Sequence, residues 1–404
     1  MSTRRLYDVI VVGGHVGALA AACLLERRGL KVLHVEHDGL QAGYEDGGYD
    51  LPTGPEFLPG PKASPLIAGL LEELALTADA ARHFEPIGPG LQLLGPGYRL
   101  DVDLGDLQAL RAEVARALGK EALGWVDYIE ALRAADAALD PLLARRPPLP
   151  PDGLLQARAL RRALAECGAA RAPTPPPEGG PLRLFIRVLA RLSTYLAAEH
   201  PSPLHAIRAR ARLLHGFYRP TPRNAGLGYG RLLRDRLASL GGESAGGGGA
   251  VAETLTLRRG VVEGVEVIGD RNEYRCRFLV SGTEVGALGR LLPLKGRKKR
   301  FDSTLESVRH RELLFSTNLV LRREGLPEPL GDTAVWIGDP EAPPSEENVL
   351  LLQRFPALRS GGEEDRRHAV LQASAFFPAS RRELGPEWLE GLQGRILRAL
   401  ESDL

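Results

Sequence analysis

Residues 7–36 constrain the chain more than any other stretch. Tyr7-Asp8-Val9-Ile10-Val11-Val12 is a β-branched run of strand length, the pattern of a parallel strand buried on both faces. It runs into Gly13-Gly14-His15-Val16-Gly17-Ala18. Leu19 to Arg28 then has helix-forming composition, and Gly29 supplies the stop. Lys31-Val32-Leu33-His34-Val35-Glu36 reads as a second strand ending on an acid. Together these make a βαβ unit of about 30 residues, with its acid close to the ~20-residue offset of a ribose-binding carboxylate. A helix N-terminus offers unpaired N–H groups and partial positive charge to a pyrophosphate, and a carboxylate accepts hydrogen bonds from ribose hydroxyls. Gly13, Gly14, His15, Val16, Gly17, Ala18 and Glu36 are therefore the candidate dinucleotide-binding residues.

The fingerprint departs from G-x-G-x-x-G at two places. Its second glycine, which lets the backbone approach the pyrophosphate, is His15 here, and its third is Ala18. A side chain at 15 pushes a phosphate away, diverts the loop, or donates to the phosphate itself. The alternative is a βαβ unit that keeps the fold and binds nothing.

Composition narrows the remaining classes. At 404 residues the chain is long enough for two or three domains with buried cores. A net charge of +1 gives no clustered basic excess, so nucleic acid is not an expected partner. Cys23, Cys167 and Cys276 are isolated and odd in number, which implies neither a disulfide framework nor a zinc site; reduced thiols and a cytoplasmic location are the simple expectation. Arg4-Arg5 before an apolar stretch, with Ala20-Ala21-Ala22-Cys23 behind it, invites an export reading. Asp8 and Gly13-Gly14-His15 interrupt that stretch, and a helix end and a strand follow it instead of a cleavage junction. No metal is expected, because His200, His205 and His215 lack ligand spacing, and no catalytic residue stands out.

The segment Asp8 to Ala21 resembles the N-terminus of FAD-dependent oxidoreductases of the phytoene desaturase and flavin amine oxidase group. Gly48-Tyr49-Asp50-Leu51-Pro52-Thr53-Gly54-Pro55 resembles the stretch after their second strand. Pro222 to Gly230 resembles their glycine-rich lead into a helix, here Arg231 to Leu240. Val261 to Val267 and Tyr274 to Thr283 resemble the hairpin and strand that return the chain to the FAD domain. The resemblance implies FAD as cofactor, with the adenine-contacting backbone at Val251. It also implies desaturation, oxidation or isomerisation of a small hydrophobic substrate, with isoprenoids among the candidates. Three departures bear on this. The turn His37 to Gly43 has no arginine where the family carries a Gly-Gly-Arg type turn, and Ser244 to Gly249 is an insert. The family's flavin segment near its C-terminus has no counterpart before Leu404. The alternative expectation is thus a degenerate or truncated relative that serves as a scaffold or binding subunit.

Elsewhere, Ser64–Leu76, Leu107–Leu118, Leu123–Leu143 and Leu154–Glu166 have helical spacing, and the proline runs at 147–151 and 173–177 break the chain. Residues 182–214 mix aliphatics with Arg183, Arg187, Arg191, Arg208, Arg210 and Arg212. This is either a packed helix with a solvated basic face or a surface for peripheral membrane contact. The expected architecture is α/β: a doubly wound Rossmann-like FAD/NAD(P)-binding domain (1–105 and 222–290) with an inserted α+β substrate domain (106–221 and 291–404).

Overall fold

The computed structural model describes residues 4–37, 43–55, 58–62, 65–87, 91–145, 147–148, 151–167, 177–194, 217–221, 228–245, 250–270, 272–295, 297, 299–308, 312–327, 330–346, 348–378 and 385–402. His200, His205, His215, Arg208, Arg210 and Arg212 lie outside the described residues, as do most of the turn after His37 and Gly246–Gly249 of the insert. The chain divides into two compact units, 1–42 with 70–80 and 227–310, and 43–69 with 81–226 and 311–404.

In the first unit six described strands form one sheet. Their order is Glu243–Ser244, Val32–Val35, Arg4–Val12, Glu273–Ser281, Val261–Val267 and Ala252–Arg258. The first four run parallel and the last two add antiparallel. Arg4–Val12 lies inside the parallel part of the sheet, and the apolar run at its end fits that place: Val9, Ile10, Val11 and Val12 are all buried. Helix Val16–Arg27 buries Ala18, Leu19, Ala22 and Cys23. It packs beside helix Gly228–Leu240, whose Leu233 carbonyl accepts from Cys23 Sγ at 3.2 Å. On the other face Tyr7, Ile10, Leu33, Leu255, Val265 and Tyr274 share a core. The expected doubly wound domain is present. Its sheet reverses direction of travel between Arg4–Val12 and Glu273–Ser281, the point at which such sheets leave a crevice at their carboxyl ends.

The second unit is built on a large mixed sheet. Its order is Glu312–Arg322, Glu364–Pro378, Val349–Arg359, Thr333–Ile337, Leu91–Gly95 and Tyr98–Asp101, with the hairpin Gly43–Asp46/Tyr49–Pro52 joined to Val349–Arg359. Neighbours are antiparallel except Thr333–Ile337 with Leu91–Gly95. One face packs helices Leu107–Leu118, Gly124–Ala137 and Pro181–Thr194 through Leu110, Ile129, Leu132, Phe185 and Val188. The other packs helix Pro386–Ser402 through Leu392, Ile396 and Ala399. Asp106 starts the first of these helices by accepting from the backbone N–H groups of Gln108 and Ala109, at 2.9 and 3.0 Å. A smaller sheet orders Leu58–Pro59, Phe217–Pro220 and Phe84–Ile87.

Residues 43–69 and 81–105, grouped with the nucleotide-binding segment in the sequence expectation, thus belong to the second compact unit. The reason is strand pairing: Tyr49–Pro52 and Leu91–Gly95 hydrogen-bond to strands from 333–359. In the arginine-rich stretch, helix Pro181–Thr194 buries Leu182, Leu184, Phe185, Ile186 and Val188. Its Arg191 pairs with Glu312 and lies 5.3 Å from the Phe376 ring centre. Among the described residues, no helix is long and apolar enough to cross a membrane.

Candidate dinucleotide site

The loop after the first strand is set by backbone constraints. Gly13 has φ +120°, a conformation that L side chains rarely adopt, and a Cβ there would come within 2.7 Å of the Gly282 carbonyl. Its N–H donates to Val35 O at 2.9 Å, and the Gly282 N–H donates to Val12 O at 2.8 Å. These bonds close the ends of three adjacent strands around the loop. A Cβ on Gly282 would also overlap the Ala18 methyl. Ala18 thus does the work of the third glycine in the fingerprint, close helix-to-strand approach, because glycine stands on the facing strand instead.

His15 is the N-cap of helix Val16–Arg27. Its backbone is extended (φ −70°, ψ 151°), and its carbonyl accepts from Leu19 N at 3.1 Å. Its side chain makes no capping bond, so the first-turn N–H groups carry no cap from their own N-cap residue. Its Nε2 is buried with no hydrogen-bond partner among the described residues. Gly17 has open space where a Cβ would stand, and the first turn, Val16 to Leu19, holds no acid. Uncapped N–H groups, an unpartnered imidazole nitrogen and an approachable glycine are a donor set suited to an anion.

Glu36 and Val251 are brought together. They form an isolated parallel bridge, with Ala252 N donating to Glu36 O at 2.9 Å and Ile268 N to Val251 O at 2.9 Å. The Glu36 carboxylate accepts from Arg234 Nε at 3.0 Å, and His37 Nδ1 donates to Ala252 O at 3.1 Å. The pairing of 36 with 251–252 puts the acid and the Val251 backbone at the carboxyl edge of the same sheet as the helix N-terminus.

Sequence reasoning missed three residues. His34 is 2% exposed, and its Nε2 donates to Gly13 O at 2.9 Å, which fixes the carbonyl of the loop glycine. Burial holds the imidazole below its usual pKa, against the raising effect of that carbonyl. A histidine inside an otherwise apolar strand was the available signal. Gly282 could have been suspected as the glycine closing a strand. Arg234 carries no signal at all, since 198 residues separate it from Glu36.

The fold is shared with solved structures across nearly the whole chain. An oxidoreductase from Methanosarcina mazei matches at 16% identity and TM-score 0.50, over 98% of this chain and 83% of that one. Putrescine oxidase bound to putrescine matches at 16% and 0.52, over 99% and 82%. A Rab GDI from Plasmodium falciparum matches at 12% and 0.53, over 99% and 88%. No protein-family model and no curated protein matches. The chain therefore has the α/β, Rossmann-like fold of the FAD-linked oxidoreductases, a fold also carried by a protein named as a Rab GDI.

Proposed function

We propose that the protein is an FAD-dependent oxidoreductase that binds the cofactor's pyrophosphate at the N-terminus of helix Val16–Arg27. The observation that carries this reading is the buried Nε2 of His15, without a partner among the described residues, beside helix N–H groups that receive no cap from the His15 side chain. A buried nitrogen without a partner costs about 1–3 kcal/mol, and a phosphate oxygen would recover it. His15 thereby replaces the missing second glycine with a donor. Gly13, Gly14, Val16, Gly17 and Ala18 would supply backbone contacts, Glu36 the ribose contact, and the Val251 backbone the adenine contact. Bound flavin would supply the redox chemistry, and the chain's part is to hold and orient it. A small hydrophobic substrate, with isoprenoids among the candidates, follows from the sequence resemblance alone.

A second reading, a non-catalytic relative that uses the same fold as a binding subunit, is favoured by the likeness of fold to a protein named as a Rab GDI. One measurement separates the two. The visible absorption of the purified chain, and the fluorescence of what it releases on denaturation, should show FAD. A folded, colourless protein that cannot be reconstituted with FAD overturns the first reading in favour of the second.

A further inference from the structure

We infer that Arg234 is a positioning residue that makes the site discriminate for the 2′-hydroxyl of an adenosine ribose. The inference rests on the dinucleotide reading above and names what sets its nucleoside specificity. Glu36 has its main chain clamped by the bridge to Val251, and its side chain is only 17% exposed. Residues 37–43 contain neither Arg nor Lys, so nothing adjacent in sequence balances this carboxylate. The balancing charge arrives from helix Gly228–Leu240, where Arg234 Nε donates to Oε1 at 3.0 Å. That helix is itself anchored: Leu233 and Leu237 are buried, and the Leu233 carbonyl accepts from Cys23.

The pair is asymmetric in a useful way. One carboxylate oxygen is committed to the guanidinium, and the carboxylate retains Oε2 as an acceptor. A carboxylate held in one rotamer by a charge-assisted bond accepts a hydroxyl at a fixed place, without the ordering cost that a free side chain would bear. Arg234 is also 45% exposed, so its removal leaves no cavity in the core. It acts through Glu36 and not as a structural strut.

The test is titration calorimetry of flavin-free full-length protein with ADP and with 2′-deoxy-ADP. The wild type should bind ADP about tenfold more tightly than the deoxy probe, the size expected for one hydrogen bond to a charged acceptor. Arg234→Ala should erase that ratio while leaving 2′-deoxy-ADP affinity within about twofold, which also reports that the site is folded; Arg234→Lys should restore part of the ratio. A ratio unchanged in Arg234→Ala overturns the inference alone. So does tighter ADP binding, since the guanidinium would then be a competitor for Glu36. A wild type that binds neither probe overturns the dinucleotide reading and this inference with it.

Discussion

The imidazole of His34 and the carbonyl of Gly13 are joined by a buried 2.9 Å hydrogen bond, which ties the second strand to the loop at the head of the first helix. The bond requires a proton on Nε2, and burial disfavours a second proton on the ring. The folded-state pKa is therefore lowered below the ordinary 6.5, so the unfolded chain binds more protons in the range beneath that value. Stability is full above pH 6.5 and falls as the pH drops below it. His34→Gln keeps a donor without a titrating group. Its urea midpoint should be flatter between pH 7 and 5 than that of the wild type. Parallel profiles would reject the role assigned to His34.

Gly282 and Ala18 form a matched pair across the helix–strand contact. Gly282→Ala should cost about 1–3 kcal/mol, because the new methyl overlaps the Ala18 methyl. Ala18→Gly in the same chain should recover a good part of this loss, even though the glycine itself costs about 1 kcal/mol in a helix. Additive losses in a denaturant double-mutant cycle would mean that the two methyls do not meet.

His15→Ala should weaken ADP binding by about tenfold if the imidazole donates to phosphate. Tighter binding of ADP to the variant would instead identify the side chain as an obstruction in the loop.

Asp365 gathers Tyr49, Arg359 and His368 on a single oxygen, at 3.0, 2.7 and 3.0 Å. Burial alone would raise its pKa, but the Arg367 backbone N–H and these three side chains together hold the carboxyl well below its ordinary 3.8. Its contribution to stability is present above pH 3.8 and is lost as the pH falls through the lowered value. Asp365→Asn should therefore destabilise the protein at neutral pH and clearly less near pH 2, where part of the contribution has already been lost, as read by thermal unfolding at both pH values. An equal shift at both would remove the carboxylate from the explanation.

The three thiols should separate by burial. Cys23 and Cys276 are buried, with the Cys23 thiol pushed up to about 11 by desolvation, whereas Cys167 is partly exposed. A thiolate-specific reagent should label one cysteine quickly in the native protein and all three after denaturation. Fast labelling of Cys23 would contradict the packing of the two helices.

The first unit was legible because its signals are local. A β-branched strand, a glycine-rich turn and a helix stop occupy some 30 consecutive residues; in the second unit, helix Leu107–Leu118 was likewise readable to the residue from its local spacing. The large sheet of the second unit was not. Val349 to Leu352 is apolar without alternation because helices cover both faces, and period alone does not separate such a run from a buried helix. The site divides in the same way. Gly13 to Ala18 and Glu36 were readable from a motif, while Arg234 and Gly282 reach it only through the tertiary fold.

The central strand of the first unit has one more consequence, for how the chain is made. Arg4–Val12 finds one neighbour, Val32–Val35, almost at once. Its other neighbour, Glu273–Ser281, is about 270 residues downstream. At typical synthesis rates that is roughly 15–50 s during which the apolar Val9–Val12 end of the strand presents an open edge on the ribosome. The residues that later cradle the helix N-terminus from the Gly282 side are not yet made. Nascent chains of this protein should be dependent on chaperones for that interval, and slow synthesis between residues 40 and 270 should lower the yield of folded protein.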